Sequence, residues 1–436
     1  MADLVASPRL KSIQRTALAM LVISGAVNYV DRVALSIANP LVRHDLGLSV
    51  AQMGVLLSVF LWCYAFSQLP VGAMVDRIGP RILLGAGLII WSAAQAAAGL
   101  VTSMGQFVWT RVFLGIGEAP QFPLGARVVR NWFNVRDRGT PTGIFNCAST
   151  LGPAIAPPLL TVIMLNFGWR WMFILLGIAG VILAVVWFAI YRDPHHYELD
   201  EDELSYLSEG EDATMGGQVS FAEWRSLFGF RTTWGMILGN FGSGYMIWLS
   251  AAWLPGYLEI QRHISIPHTG LIASVPYIFG VIGSLVGGWV SDVLVRAGMT
   301  PINSRKLPII LGMVASAGLT AIAAVTPSNP VAIGCISVSM FFGNLAGAAI
   351  WALAVVAAPA KGVASLGSMQ NFGGFLGGAL APMVTGLIVQ STGLFVPASM
   401  VAACVGAASA LIYLFVVRQP VELASVPMNA ADAYAR

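Results

Sequence analysis

Runs of about 20 mainly apolar residues recur twelve times along this chain, and that is the length a helix needs to cross a hydrocarbon core. The runs cover roughly 16–38, 50–74, 81–101, 104–130, 138–165 and 169–191, then 232–258, 268–296, 306–326, 331–358, 362–390 and 393–418. Inside a bilayer every backbone N–H and C=O must find its partner within the protein, which leaves helices or a closed barrel. Segments this long and this uniformly apolar predict helices, hence an all-α membrane protein with twelve transmembrane helices. Composition agrees: 10% of the 436 residues are charged, against about 25% in a soluble domain.

Between the sixth and seventh runs the character changes. Residues 193–231 carry Pro194, His195, His196 and an acidic series from Glu198 to Asp212, as expected of a solvated linker. The expected organisation is a six-helix half over 1–192, a cytoplasmic linker over 193–231, a second half over 232–418 and a tail over 419–436. Arg9, Lys11 and Arg15 precede the first run, but that run is too long for a signal sequence and is read as a retained helix. Basic residues crowd the loops on one side, from Arg77, Arg81 and Arg127 to Arg305, Lys306 and Arg418, against Arg43, Arg170 and Arg262 on the other. This imbalance predicts that both termini and the central linker are cytoplasmic. A net charge of +3 gives no reason to expect nucleic acid. The four cysteines show no metal-ligand spacing and read as buried thiols, so no metal or cofactor is expected.

The halves echo one another. Gly72 and Asp76 after the second run match Gly288 and Asp292 after the eighth, while Asn146, Gly152, Ala156 and Pro157 recur in register as Asn371, Gly377, Ala381 and Pro382. Duplicated halves with a site between them near the midplane are a signature of secondary transporters.

Within the apolar runs a few charges stand out: Asp31 and Arg32 in the first, Arg111 and Glu118 in the fourth. Ionised groups at bilayer depth cost several kcal/mol and normally mark a pathway or a partner. Arg111 and Glu118, seven residues apart, project from one helix face about 10 Å apart along the axis. Arginine stays charged, so Asp31 and Glu118 are the groups able to carry a proton. Guanidinium matches a carboxylate bidentately, and an acid docked on Arg111 would leave Glu118 free to be protonated, coupling the two ligands. The same charges could instead form permanent ion pairs that hold the first and fourth helices together.

The stretch Gly72-Ala-Met-Val-Asp76-Arg77-Ile-Gly79-Pro-Arg81 resembles the loop motif G-x-x-x-D-R-x-G-x-R/K of the major facilitator superfamily in every defining position. Three more stretches, 28–32, 111–120 and 131–146, resemble the anion:cation symporter family within it; the usual W-F-P-x-x-E-R reads Trp132-Phe133-Asn134-Val135-Arg136-Asp137-Arg138. The resemblance implies a proton-coupled symporter for an organic acid anion, with hexuronates, aldonates and aldarates as the central substrates. It implies Asp31 and Glu118 as proton sites, Arg111 on the substrate carboxylate, and Arg32 between the two. Tyr29, Tyr64, Asn146, Trp351 and Asn371 would line the cavity, and Gly72, Asp76, Arg77 and Arg81 would form a conformational latch. Ser149 stands where aldonate carriers present a longer amide, and Ala348 and Ile350 where they present hydroxyls.

Other classes fit less well. No nucleophile with its base and no phosphate-cradling motif argues for an enzyme. Among transporters, a carrier of aromatic or short hydroxy acids is the alternative, and a drug/proton antiporter would have no use for a carboxylate-binding arginine. The expected partners are a small organic anion, protons and the bilayer, around a monomer.

Overall fold

The computed structural model describes residues 6–134, 137–208, 221–358 and 362–421. Val135 and Arg136 of the 131–146 stretch, the end of the acidic series and most of the tail lie outside them, as do the side chains of Gly72, Asp76 and His195. The first half is built from α1 (Pro8–Leu46), α2 (Val50–Ile78), α3 (Pro80–Ala98), α4 (Met104–Glu118), α5 (Gln121–Trp132) and α6 (Gly139–Ile190). Two short helices, α7 (Glu201–Ser208) and α8 (Phe221–Ser226), lie in the linker. The second half comprises α9 (Arg231–Ile260), α10 (Ile266–Arg296), α11 (Pro301–Val325), α12 (Asn329–Ala357), α13 (Val363–Thr392) and α14 (Val396–Phe415).

Local chemistry sets these boundaries. The Ser7 hydroxyl accepts the Leu10 N–H at the start of α1, and Gly47, in the left-handed conformation at φ 62°, ends it. Ser49 and Gln52 form a reciprocal capping box at the start of α2, satisfying two of the donors every helix start leaves free. α1 begins well before residue 16, so Arg9, Lys11 and Arg15 are helical rather than a preceding tail.

Among the described residues, nine helices are long and apolar enough to cross a membrane. One of them, α6, bends at Gly168, whose φ of 85° is open to glycine at little cost, and so supplies both the fifth and sixth crossings. The fourth run differs from its expected continuous helix: it breaks after Glu118, where Pro120 lacks the N–H a helix would use. The pair α4–α5 and the more polar α9 complete twelve crossings, six in each half.

The packing is asymmetric across the membrane. On the side opposite the linker, one apolar cluster joins both halves, from Val33 to Val42 on α1 through Trp253, Tyr257 and Leu258 on α9 to Val389 on α13. On the linker side one body is centred on Trp91, Trp132 and Trp187 of the first half, reached from the second half by Ala379, Trp248 and Phe375, and another on Met313, Leu353 and Tyr413 of the second half. Among the described residues, hydrogen bonds cross between the halves at the far side: Ser36 Oγ to the Ala252 carbonyl at 2.7 Å and Ala51 N–H to Gln390 Oε1 at 2.9 Å. The halves are therefore closed together on the far side and parted on the linker side.

Candidate functional site

The intramembrane charges of α1 and α4 converge. Arg32 Nε donates to Glu118 Oε2 at 2.7 Å, and both side chains are buried. Seven residues on one helix leave Arg111 and Glu118 too far apart to pair directly, so Glu118 takes its cation from α1. An ion pair between the first and fourth helices, the alternative reading of these charges, is thus formed by Arg32 and Glu118.

Arg32 is enclosed by aromatic faces. Its guanidinium carbon lies 4.6 Å from the ring centre of Tyr29, 4.5 Å from Tyr64, 5.2 Å from Phe60 and 6.0 Å from Trp248. Aromatic faces attract a cation while excluding water. Trp248 belongs to α9, and Tyr64 packs on Phe375 of α13 at 4.7 Å, so Arg32 stands where the two halves meet. Its Nη2 has no hydrogen-bond partner.

Arg111 lies deeper in the first half. It is 2% exposed, with its guanidinium lying against the rings of Phe107 and Phe173 at 5.4 and 5.6 Å. Its Nη2 donates to Gln95 Oε1 on α3 at 3.0 Å. Asp31 is buried beside this group, under the influence of Glu118, Arg111, the Gln95 amide and Arg32, yet no donor meets either carboxylate oxygen in hydrogen-bond geometry. In this conformation Arg32, rather than Arg111, is the guanidinium at the meeting of the halves. Sequence reasoning passed over Gln95; its signal was a lone amide in the alanine run Trp91-Ser-Ala-Ala-Gln95-Ala-Ala-Ala.

The remaining expected residues differ in exposure. Tyr29 and Asn371 are half-buried, while Asn146 and Trp351 are exposed. The Ser149 hydroxyl turns back to the Asn146 carbonyl at 2.7 Å and is thereby occupied within its own helix. Below the first half, Arg77 is exposed and Arg81 donates to the Phe188 carbonyl at 2.9 Å, tying the start of α3 to the end of α6. The four cysteines form no disulfide, and none is fully buried as expected: Cys63 and Cys335 are half-buried and Cys147 and Cys404 exposed.

A helical protein of two six-helix halves, with buried opposite charges at their meeting point, is a secondary membrane transporter and not an enzyme. Comparison with known proteins identifies which kind. The model of the Major Facilitator Superfamily matches residues 21–382, and the chain belongs to that superfamily. It is 46% identical to the "Probable L-galactonate transporter" of Escherichia coli K12 over 95% of this chain and 92% of that protein. It is 32% identical to the "D-galactonate transporter" of E. coli O6:H1, covering 92% and 94%, and 30% identical to the "Hexuronate transporter" of Bacillus subtilis, covering 88% and 89%. These relatives match the anion:cation symporter branch that the sequence motifs resembled. Among solved structures, a bacterial homologue of the human lysosomal transporter Spinster, described as inward-facing and unoccupied, shares the fold. Its TM-score is 0.73 at 17% identity, over 95% of this chain and 96% of that one.

Proposed function

We propose that this protein is a proton-coupled importer of a sugar-acid anion, an aldonate of the galactonate type first, in a bacterial inner membrane. The observation that carries the reading is the buried Arg32–Glu118 pair with an unpartnered Asp31 beside it, at the junction of two halves that part on one side only. The 46% identity to a probable L-galactonate transporter supports the substrate class.

Arg32 has a free Nη2 and faces the second half through Trp248. A substrate carboxylate arriving there can take a guanidinium edge, competing with Glu118 for the cation. A buried carboxylate deprived of its partner is costly at this depth, so substrate binding and protonation of Glu118 favour one another. Arg111, held by Gln95, supplies the second positive charge beside Asp31. Asn146, Trp351 and Asn371 then offer polar and aromatic contacts to the polyol, and Ser149, whose hydroxyl proton is donated to the Asn146 carbonyl, can still accept from it.

The working division is 1–192 and 232–418 as the moving halves, with 193–231 as a cytoplasmic linker. The linker is pinned to the first half: Tyr206 donates to Asp137 Oδ2 at 2.7 Å, and Asn134 donates to the Tyr206 carbonyl at 2.8 Å. Burial and that bond to Asp137 push the Tyr206 phenol up. Gly72, Asp76, Arg77 and Arg81 remain the proposed linker-side latch, and the unit is a monomer.

The test is uptake of radiolabelled L-galactonate into proteoliposomes. An inward proton gradient should drive accumulation that a protonophore abolishes, with excess D-glucuronate competing more strongly than an aromatic acid. Accumulation indifferent to the gradient, or unchanged in Glu118→Gln, would overturn the coupling. Competition led by the aromatic acid would overturn the substrate class.

A further inference from the structure

Gln95 occupies a position that the charges alone do not explain. It is fully buried on α3, in a run of alanines whose neighbours need no polar group. Its Oε1 accepts Arg111 Nη2 at 3.0 Å. A guanidinium only donates, so Arg111 fixes which end of the amide it faces, and Nε2 must point elsewhere. That nitrogen has no hydrogen-bond partner, and neither does either oxygen of Asp31, although the Gln95 amide and Asp31 are close enough to interact. A donor with no acceptor thus lies beside an acceptor with no donor, both out of water.

We infer that Gln95 is a positioning residue for proton coupling: it holds Arg111 back from Asp31 and presents its own N–H in the guanidinium's place, so that Asp31 can gain and lose a proton. The inference rests on the proton-coupled reading above. Without Gln95, Arg111 would turn to the partnerless oxygens of Asp31, which lie beside the vacated amide, with Glu118 Oε1 the other partnerless carboxylate oxygen acting on it. The resulting charge-assisted bond, roughly twice as strong as a neutral one, would keep Asp31 ionised. With Gln95, Asp31 meets a neutral donor that stabilises the anion more weakly.

The ionisable groups acting on Asp31 are Arg32 on its own helix and Arg111 and Glu118 on α4. From the other elements packed on α1, α2 brings Tyr64 and α9 brings Trp248, both to Arg32. No acid or base on α5 or α6 is among the groups acting on Asp31. The neighbourhood is small enough for one amide to set its balance.

Two substitutions move that balance in opposite directions. Gln95→Leu removes the acceptor that restrains Arg111; Arg111 turns to Asp31, and protonation requires more acid. Gln95→Glu keeps an oxygen for Arg111 but replaces the donor facing Asp31 with a second carboxyl oxygen, and protonation occurs at less acid pH. The measurement is L-galactonate counterflow in proteoliposomes as a function of pH, with no gradient imposed. The half-maximal pH is expected to fall by about one unit or more in Gln95→Leu and to rise by a similar amount in Gln95→Glu. A structural role would lower the rate in both variants without splitting their profiles, and profiles that coincide with the native one, or shift together, overturn the inference.

A second readout needs no substrate. The melting temperature of the detergent-purified protein is followed against pH, with Asp31→Asn as the reference that lacks the titrating group. The midpoint should split in the same two directions, and the split should vanish when Asp31→Asn is added to either variant. A native protein that does not move protons with L-galactonate overturns the proposed function. A missing split, whatever the transport result, overturns the role of Gln95.

Discussion

At the scale of single residues, the buried ion pair separates stability from transport. Removing one partner of such a pair leaves the other charge unpaired and costs about 3–5 kcal/mol, whereas replacing both with apolar groups is often neutral. Glu118→Ala should therefore lower thermal stability markedly, because it strands Arg32 among Tyr29, Phe60 and Tyr64. Arg32→Leu combined with Glu118→Leu should recover most of that loss in a melting experiment while remaining inactive in uptake. A double variant as unstable as Glu118→Ala would show that something other than the stranded charge sets the cost. The two arginines also divide by role. Arg32→Lys keeps the charge but loses the planar fork that can hold Glu118 and a substrate carboxylate together; a fall of at least tenfold in uptake is expected. Arg111→Lys should instead alter the pH profile first, because Arg111 bonds Gln95 beside Asp31 rather than reaching the junction of the halves.

Among the helices, much was legible because a bilayer leaves so few choices. The apolar runs located the twelve crossings, and the four charges were visible as exceptions to them. Their pairing was not visible. Spacing within one helix places Arg111 and Glu118 on the same face, but which neighbouring helix supplies a partner depends on how α1, α3 and α4 pack, and no periodicity records that. The break at Pro120 was in plain view as a residue without an N–H, yet the apolar pattern continues past it and hides the interruption. Gln95 was hidden for a related reason: a lone amide in an apolar run usually serves as packing glue, and only its contact with Arg111 distinguishes it. One packing detail has a measurable consequence at this scale. Gly54 on α2 faces α13 so closely that an added Cβ would sit 2.6 Å from the Pro382 carbonyl and 3.2 Å from the Gly386 Cα. No rotamer change can relieve a clash with backbone, so Gly54→Val should pry α2 from α13 on the far side. The contact lies in the region that closes the halves, and the fold of each half should survive; transport should drop while the protein still elutes at the native position.

For the whole molecule, closure on the far side and parting on the linker side describe one end of a rocking cycle, and the transport cycle requires the reverse arrangement as well. Ser36 is the useful reporter, since it is buried between the halves and its hydroxyl reaches the Ala252 carbonyl. A cysteine at position 36 should be silent to a membrane-impermeant maleimide while the far side is closed and reactive once it opens. Ala51 and Gln390 form a second tie on that side. Gln390→Ala would remove it, costing one hydrogen bond of about 1 kcal/mol, or roughly a fivefold shift in the balance between the two arrangements if the bond exists only in this one. Labelling at position 36 should thus rise severalfold in Gln390→Ala and further in Gly54→Val. The two variants act by different physics, one by losing an attraction and one by adding a clash, on different residues of the same seam. Agreement between them would tie labelling to separation of the halves, whereas a rise in only one would point to a local disturbance near that residue.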